Sequence, residues 1–103
     1  MSWVNVCNIE SLKPGELFEF DYEEKKILLV KLGDKIYASD RICTHAYADL
    51  ANGILNEKEK TVTCPLHMSV FNLEDGVPQN LPAEEPLRIY NTKIQDRSIF
   101  ILI

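Results

Sequence analysis

Short runs of β-branched and aromatic residues recur along the chain, separated by Pro-Gly, Gly-Asp, Asn-Gly and Asp-Gly, and this alternation predicts strands joined by turns. The expected strands cover Trp3 to Asn8, Leu17 to Tyr22, Lys26 to Leu32, Lys35 to Ser39, Thr61 to Thr63, Val70 to Leu73, Leu87 to Ile94 and Ser98 to Ile103. Pro14-Gly15, Gly33-Asp34, Asp75-Gly76 and Asp96-Arg97 supply turns, and Gly33-Asp34 is short enough for a tight hairpin. Ala46 to Leu50 allows one helical turn, but no segment keeps apolar residues at helical spacing over three turns. The expected fold class is all-β.

Pro78, Pro82 and Pro86 restrict φ and lack an N–H donor, so the stretch from Gly76 to Pro86 reads as a fixed loop. Trp3, Phe18, Phe20 and Phe100 fall at strand positions and are expected to pack in the core. Cys7, with no histidine or cysteine near it in the sequence, is expected to be a small buried apolar residue.

A chain of 103 residues predicts one domain, 1–103. Within it, residues from about 40 to 80 look like a metal-binding insertion, with 1–39 and 81–103 as its β base. Sixteen acidic against eleven basic side chains leave a net charge of -5, which repels a phosphate backbone and an anionic bilayer alike. No nucleic acid and no membrane partner are expected, since the apolar runs fall far short of the roughly 20 residues a spanning helix needs. The start, Met1-Ser2-Trp3-Val4, lacks the features of a signal peptide, so the expected location is cytoplasmic. The acidic residues Glu16, Glu19, Asp21, Glu23 and Glu24 are expected to do no more than keep one face of a hairpin hydrated.

Three cysteines are too few for a disulfide scaffold, which turns attention to metal binding. Both histidines of the chain lie in one pattern with two of these cysteines: Cys43-Thr44-His45, then eighteen residues, then Cys64-Pro65-Leu66-His67. Each half offers one thiolate and one imidazole from a short loop, so two facing loops could present four donors to one centre. Zinc accepts two cysteines and two histidines, but its familiar finger spacing pairs cysteine with cysteine. A cluster with two cysteines on one iron and two histidines on the other suits the interleaved order.

These motifs resemble the two ligand loops of the Rieske-type 2Fe-2S ferredoxin family. Phe71-Asn72-Leu73-Glu74-Asp75-Gly76 and Pro82-Ala83-Glu84-Glu85-Pro86-Leu87 extend the resemblance over nearly the whole chain. It implies an antiparallel β-sandwich with a cluster-binding subdomain of two ligand loops. It also implies one 2Fe-2S cluster held by Cys43 and Cys64 on an inner iron and by His45 and His67 on an outer iron, with the proline loop covering a third side. Thr44, Leu66, Ser69 and Pro82 are the residues expected around those ligands.

Two departures from the family pattern matter. Respiratory members carry a disulfide between the ligand loops, whereas the matching positions here are Ala48 and Leu66. Those high-potential members also have a serine and a tyrosine that hydrogen-bond the sulfurs; here Ser69 stands at the first position and Phe71 at the second. The resemblance therefore implies a potential in the lower half of a span of roughly -150 to +300 mV. The interval between loops is slightly long, and the charged stretch Asn56 to Lys60 is the expected place for extra length, in solvent.

By resemblance the chain is an electron carrier between a reductase and an oxygenase or similar acceptor, with no catalytic residue of its own. Ala46, Tyr47, Leu66 and Met68 predict a small apolar docking face, and a monomer is expected. Three alternatives stay open: a Rieske-like small subunit of a larger reductase, an oxygenase fragment, and a zinc-stabilised structural module. The fragment would need histidines for a mononuclear iron, and the two present are both in the ligand pattern.

Overall fold

The computed structural model describes residues 1–103 and contains ten strands. They are β1 (Trp3–Asn8), β2 (Phe18–Tyr22), β3 (Lys25–Leu32), β4 (Lys35–Asp40), β5 (Ile54–Asn56), β6 (Thr61–Thr63), β7 (Val70–Asn72), β8 (Ile89–Tyr90), β9 (Thr92–Gln95) and β10 (Ser98–Leu102). All ladders between them are antiparallel, in three sheets ordered β1-β10-β9, β2-β3-β4-β8 and β5-β6-β7.

The side chains of β3 explain how the sheets stack. Ile27, Leu28, Leu29 and Val30 are all buried, so the middle of this strand has no solvent face. Ile27 and Leu29 join Leu12, Ala38, Tyr90, Ile99 and Ile101 in one core. Leu28 and Val30, pointing the other way, join Leu50, Val62, Phe71, Leu73, Leu87 and both Cys43 and Cys64 in a second. The four-stranded sheet is thus a middle layer, packed on β1-β10-β9 on one side and on the loop-bearing sheet on the other. Burying each large aliphatic side chain contributes about 1.5–3 kcal/mol, so these alternating sets hold both layers to the middle one.

Several expectations need correction. The segment Leu87 to Ile94 is not one strand: β8 pairs with β4, and after Asn91 the chain crosses to the other sheet, where β9 pairs with β10. The strand-like mixture of apolar, aromatic and β-branched residues across this segment concealed a change of sheet. Strand β5 was not anticipated, because a three-residue strand beside a charged turn gives too little periodicity. The stretch after Asn56 is the exposed turn of the β5–β6 hairpin. The helical turn expected at Ala46 to Leu50 is instead a 3-10 turn at Leu50–Asn52, where the Asp49 carboxylate accepts from the Ala51 amide.

Trp3 is exposed rather than in the core, with the Lys93 ammonium 4.5 Å from the centre of its ring. Phe18 and Phe20 are half-buried against the first core, and Phe100 is half-buried on the outer face below the same lysine. Cys7 is only half-buried, beside an irregularity in the β1–β10 register. The last strand, β10, lies between β1 and β9 and is not an edge. No helix is long and apolar enough to cross a membrane.

Candidate metal centre

Two loops carry the four predicted donors, with both cysteines in one core and the two imidazoles in contact. The first leaves β4 and is closed by an Ile42–Asp49 bridge and by the Cys43 amide, which donates to the Ala48 carbonyl at 2.9 Å. The second connects β6 to β7, and the Cys64 amide donates to the Ser69 carbonyl at 2.7 Å. Each cysteine therefore makes the same bond, to the carbonyl five residues on. His67 and Met68 have φ of 67° and 59°, and this left-handed pair turns the chain sharply enough to close the second loop.

Depth sorts the donors. Cys43 and Cys64 are 5% and 0% exposed and belong to the second core, whereas His45 and His67 are exposed. The imidazoles lie edge to face with ring centres 5.4 Å apart. Burial pushes the Cys64 thiol pKa up; the Leu66 amide opposes this by donating to its sulfur, and the Cys43 side chain raises it further.

The two thiols thus share one buried core, and the two imidazoles meet at the surface. A binuclear centre with a sulfur-ligated and a nitrogen-ligated metal fits two separate pairs.

The surroundings tie the loops to each other. Thr44 Oγ1 donates to the Glu85 carbonyl at 2.7 Å, anchoring the first loop to the proline loop. Ser69 is fully buried, and its Oγ accepts from the Ala83 amide at 3.1 Å. Leu66 is 48% exposed, so it reaches the sulfur through its backbone while its side chain faces solvent. Pro82 is half-buried and immediately precedes Ala83. Phe71 packs in the same core as both cysteines.

Sequence reading passed over two supports. Asn80 bridges the proline loop to the second ligand loop: its Oδ1 accepts from the Val70 amide at 2.7 Å and its Nδ2 donates to the Met68 carbonyl at 3.2 Å. Arg41 is buried beside Asp21 and Asp49. Neither belongs to a motif, and their roles depend on partners distant in the chain.

The family model for the Rieske [2Fe-2S] domain matches residues 2–91. The chain belongs to the Rieske [2Fe-2S] domain family. This Rieske chain is 35% identical over 103 residues to the 3-phenylpropionate/cinnamic acid dioxygenase ferredoxin subunit of Photorhabdus laumondii subsp. laumondii, covering 100% of this chain and 96% of the relative. Its fold is similar to the ferredoxin of carbazole 1,9a-dioxygenase from Nocardioides aromaticivorans IC177, with a TM-score of 0.92, 32% identity and coverage of 98% and 97%. It also resembles a chain in the complex of reduced oxygenase and oxidized ferredoxin in carbazole 1,9a-dioxygenase, with a TM-score of 0.88, 26% identity and coverage of 96% and 91%. The all-β Rieske fold expected from the motifs is the one observed, and membership of the family implies a 2Fe-2S cluster.

Proposed function

We propose that Cys43 and Cys64 bind the inner iron of a Rieske-type 2Fe-2S cluster, that His45 and His67 bind the outer iron, and that the protein passes single electrons from a reductase to an oxygenase or similar acceptor. The observation that carries this reading is the buried thiol pair behind an exposed imidazole pair. When bound, the cluster supplies one-electron acceptance and donation.

The chain's residues tune and direct that exchange. The Leu66 amide favours the thiolate form of Cys64, while the Ser69 hydroxyl, its oxygen accepting from Ala83, has a proton to offer a sulfur. Phe71 offers none. Exposed imidazoles give the electron its exit, and the exposed side chains of Tyr47, Leu66 and Met68 form a small apolar docking face suited to a transient complex. The relatives named as dioxygenase ferredoxin subunits, and the ferredoxin–oxygenase complex among similar structures, support an oxygenase as acceptor. A carrier role leaves no catalytic residue to assign.

The division into a cluster-binding part of about residues 40–80 and a β base from 1–39 and 81–103 draws support from the separate β5-β6-β7 sheet. Three cysteines without disulfides suit a reducing, cytoplasmic setting.

Iron, acid-labile sulfide and the visible spectrum, measured on one preparation, test the cofactor; EPR of the reduced protein tests its ligands. Two irons and two sulfides per chain are expected, with lines altered by His45→Ala or His67→Ala. Stoichiometric zinc without sulfide would overturn the proposal.

A further inference from the structure

Arg41 stands two residues before Cys43 and is 3% exposed, a rare burial for this side chain. Its Nη2 donates to Asp21 Oδ1 at 2.9 Å, its Nε to Asp49 Oδ2 at 3.2 Å, and its Nη1 to the Ile27 carbonyl at 3.5 Å. Glu19 Oε1 lies 3.8 Å from Nη2. One planar fork thus reaches β2, β3 and the far end of the first ligand loop, a set of directions that the point charge of a lysine does not reproduce.

The backbone of the same residue repeats the connection. The Arg41 amide donates to the Lys26 carbonyl at 3.0 Å, and the Arg41 carbonyl accepts from the Leu50 amide at 2.8 Å. Residues 42–48, including Cys43 and His45, therefore lie between two stems that Arg41 joins by both main chain and side chain.

The two ligand loops differ in what closes them. The second grows from β6 and β7, whose ladder pairs Thr63 with Val70 directly below the Cys64–Ser69 bond. The first has one isolated bridge, Ile42 to Asp49, and then a short 3-10 turn. A ladder fixes the second loop; in the first, the buried Arg41 guanidinium, paired with half-buried Asp49 and exposed Asp21, takes the place of missing strand. Opening these pairs leaves the guanidinium desolvated and unmatched, so they resist opening.

We infer that Arg41 is the positioning residue of the first ligand loop, holding Cys43 and His45 in place against the β base through Asp49 and Asp21. This rests on the proposed ligation only in what the loop presents.

The test is amide hydrogen exchange on the iron-loaded protein, read at Cys43 and Leu50 and, as a control, at Ile99 and Ile101 in β10, alongside a redox titration. Asp49→Asn keeps an oxygen to cap the Ala51 amide but removes the charge; Arg41→Lys keeps the charge but not the fork; Arg41→Gln removes both. Exchange at Cys43 and Leu50 should rise about tenfold in each variant, the order expected for loss of a charged hydrogen bond, while the β10 amides stay at the parent rate. The potential should fall in Arg41→Gln, rise in Asp49→Asn and change least in Arg41→Lys, so a pure field effect would move the potentials without moving exchange. Should Arg41→Gln fail to fold, the other two variants decide. Unchanged exchange at Cys43 and Leu50 in both, or an equal rise at β10, overturns the inference. A parent preparation without iron and sulfide would instead defeat the ligand proposal, and exchange in that preparation would still test the clamp.

Discussion

The Ala83 amide donates to Ser69 Oγ at 3.1 Å, so a buried hydroxyl joins the proline loop to the second ligand loop. Ala83 and Ser69 are both buried, and the oxygen is the acceptor that satisfies the amide. The same hydroxyl keeps its proton for a neighbour.

Ser69→Ala should therefore act twice. Leaving the Ala83 amide unpaired costs about 1–3 kcal/mol in unfolding free energy. In the loaded protein the potential should fall, because a donor that favours the reduced, more negative state is gone. Denaturant unfolding and a redox titration separate the effects; lost stability at an unaltered potential would confine Ser69 to a structural role.

Gly76 and Gly33 both have positive φ, 78° and 61°, but a Cβ at Gly76 would come within 2.2 Å of the Leu87 carbonyl oxygen whereas one at Gly33 would meet open space. Gly33→Ala should cost about 1–2 kcal/mol, the conformational penalty alone. Gly76→Ala should cost clearly more, since backbone must move where the Leu87 amide donates to the Gly76 carbonyl. Equal midpoints in urea for the two variants would contradict this.

Tyr90 donates to Asp40 Oδ1 at 2.7 Å, and burial, reinforced by that carboxylate, pushes its pKa up from 10.0 to about 12. The neutral phenol is thus favoured in the folded state. Its contribution to stability is complete below pH 10 and is lost as pH rises through about 12, because the unfolded chain ionises first. Tyr90→Phe should lower stability at neutral pH and flatten the decline between pH 10 and 12; parallel stability curves for parent and variant would count against it.

Leu66 is 48% exposed beside His67, and a charge there should disturb docking rather than folding. Leu66→Asp should slow electron transfer to an acceptor protein about tenfold, the cost of one good interface contact, at unchanged visible absorbance. Bleaching of the variant would show that Leu66 holds the site together.

Much of this was legible locally. Strands β1 and β4 and the turns at Gly33 and Asp96 announced themselves because alternation and turn chemistry act over a few residues. The strand over Ile27 to Val30 was legible in the same way, whereas its burial on both faces is a finding of the structure. The change of sheet at Asn91, the exposure of Trp3 and the role of Arg41 were illegible, since each depends on partners distant in the chain. Glu19 and Asp21 looked like solvated charge, yet both face the buried guanidinium.

The sequence by itself determined the all-β class and the family, and it singled out two cysteines and two histidines as candidate donors, because donor chemistry and turn preference are properties of the residues themselves. Tertiary structure decided which donors pair, which lie deep and what clamps each loop. Those outcomes come from packing β3 between two layers, which buries the sulfurs and leaves the imidazoles at the surface.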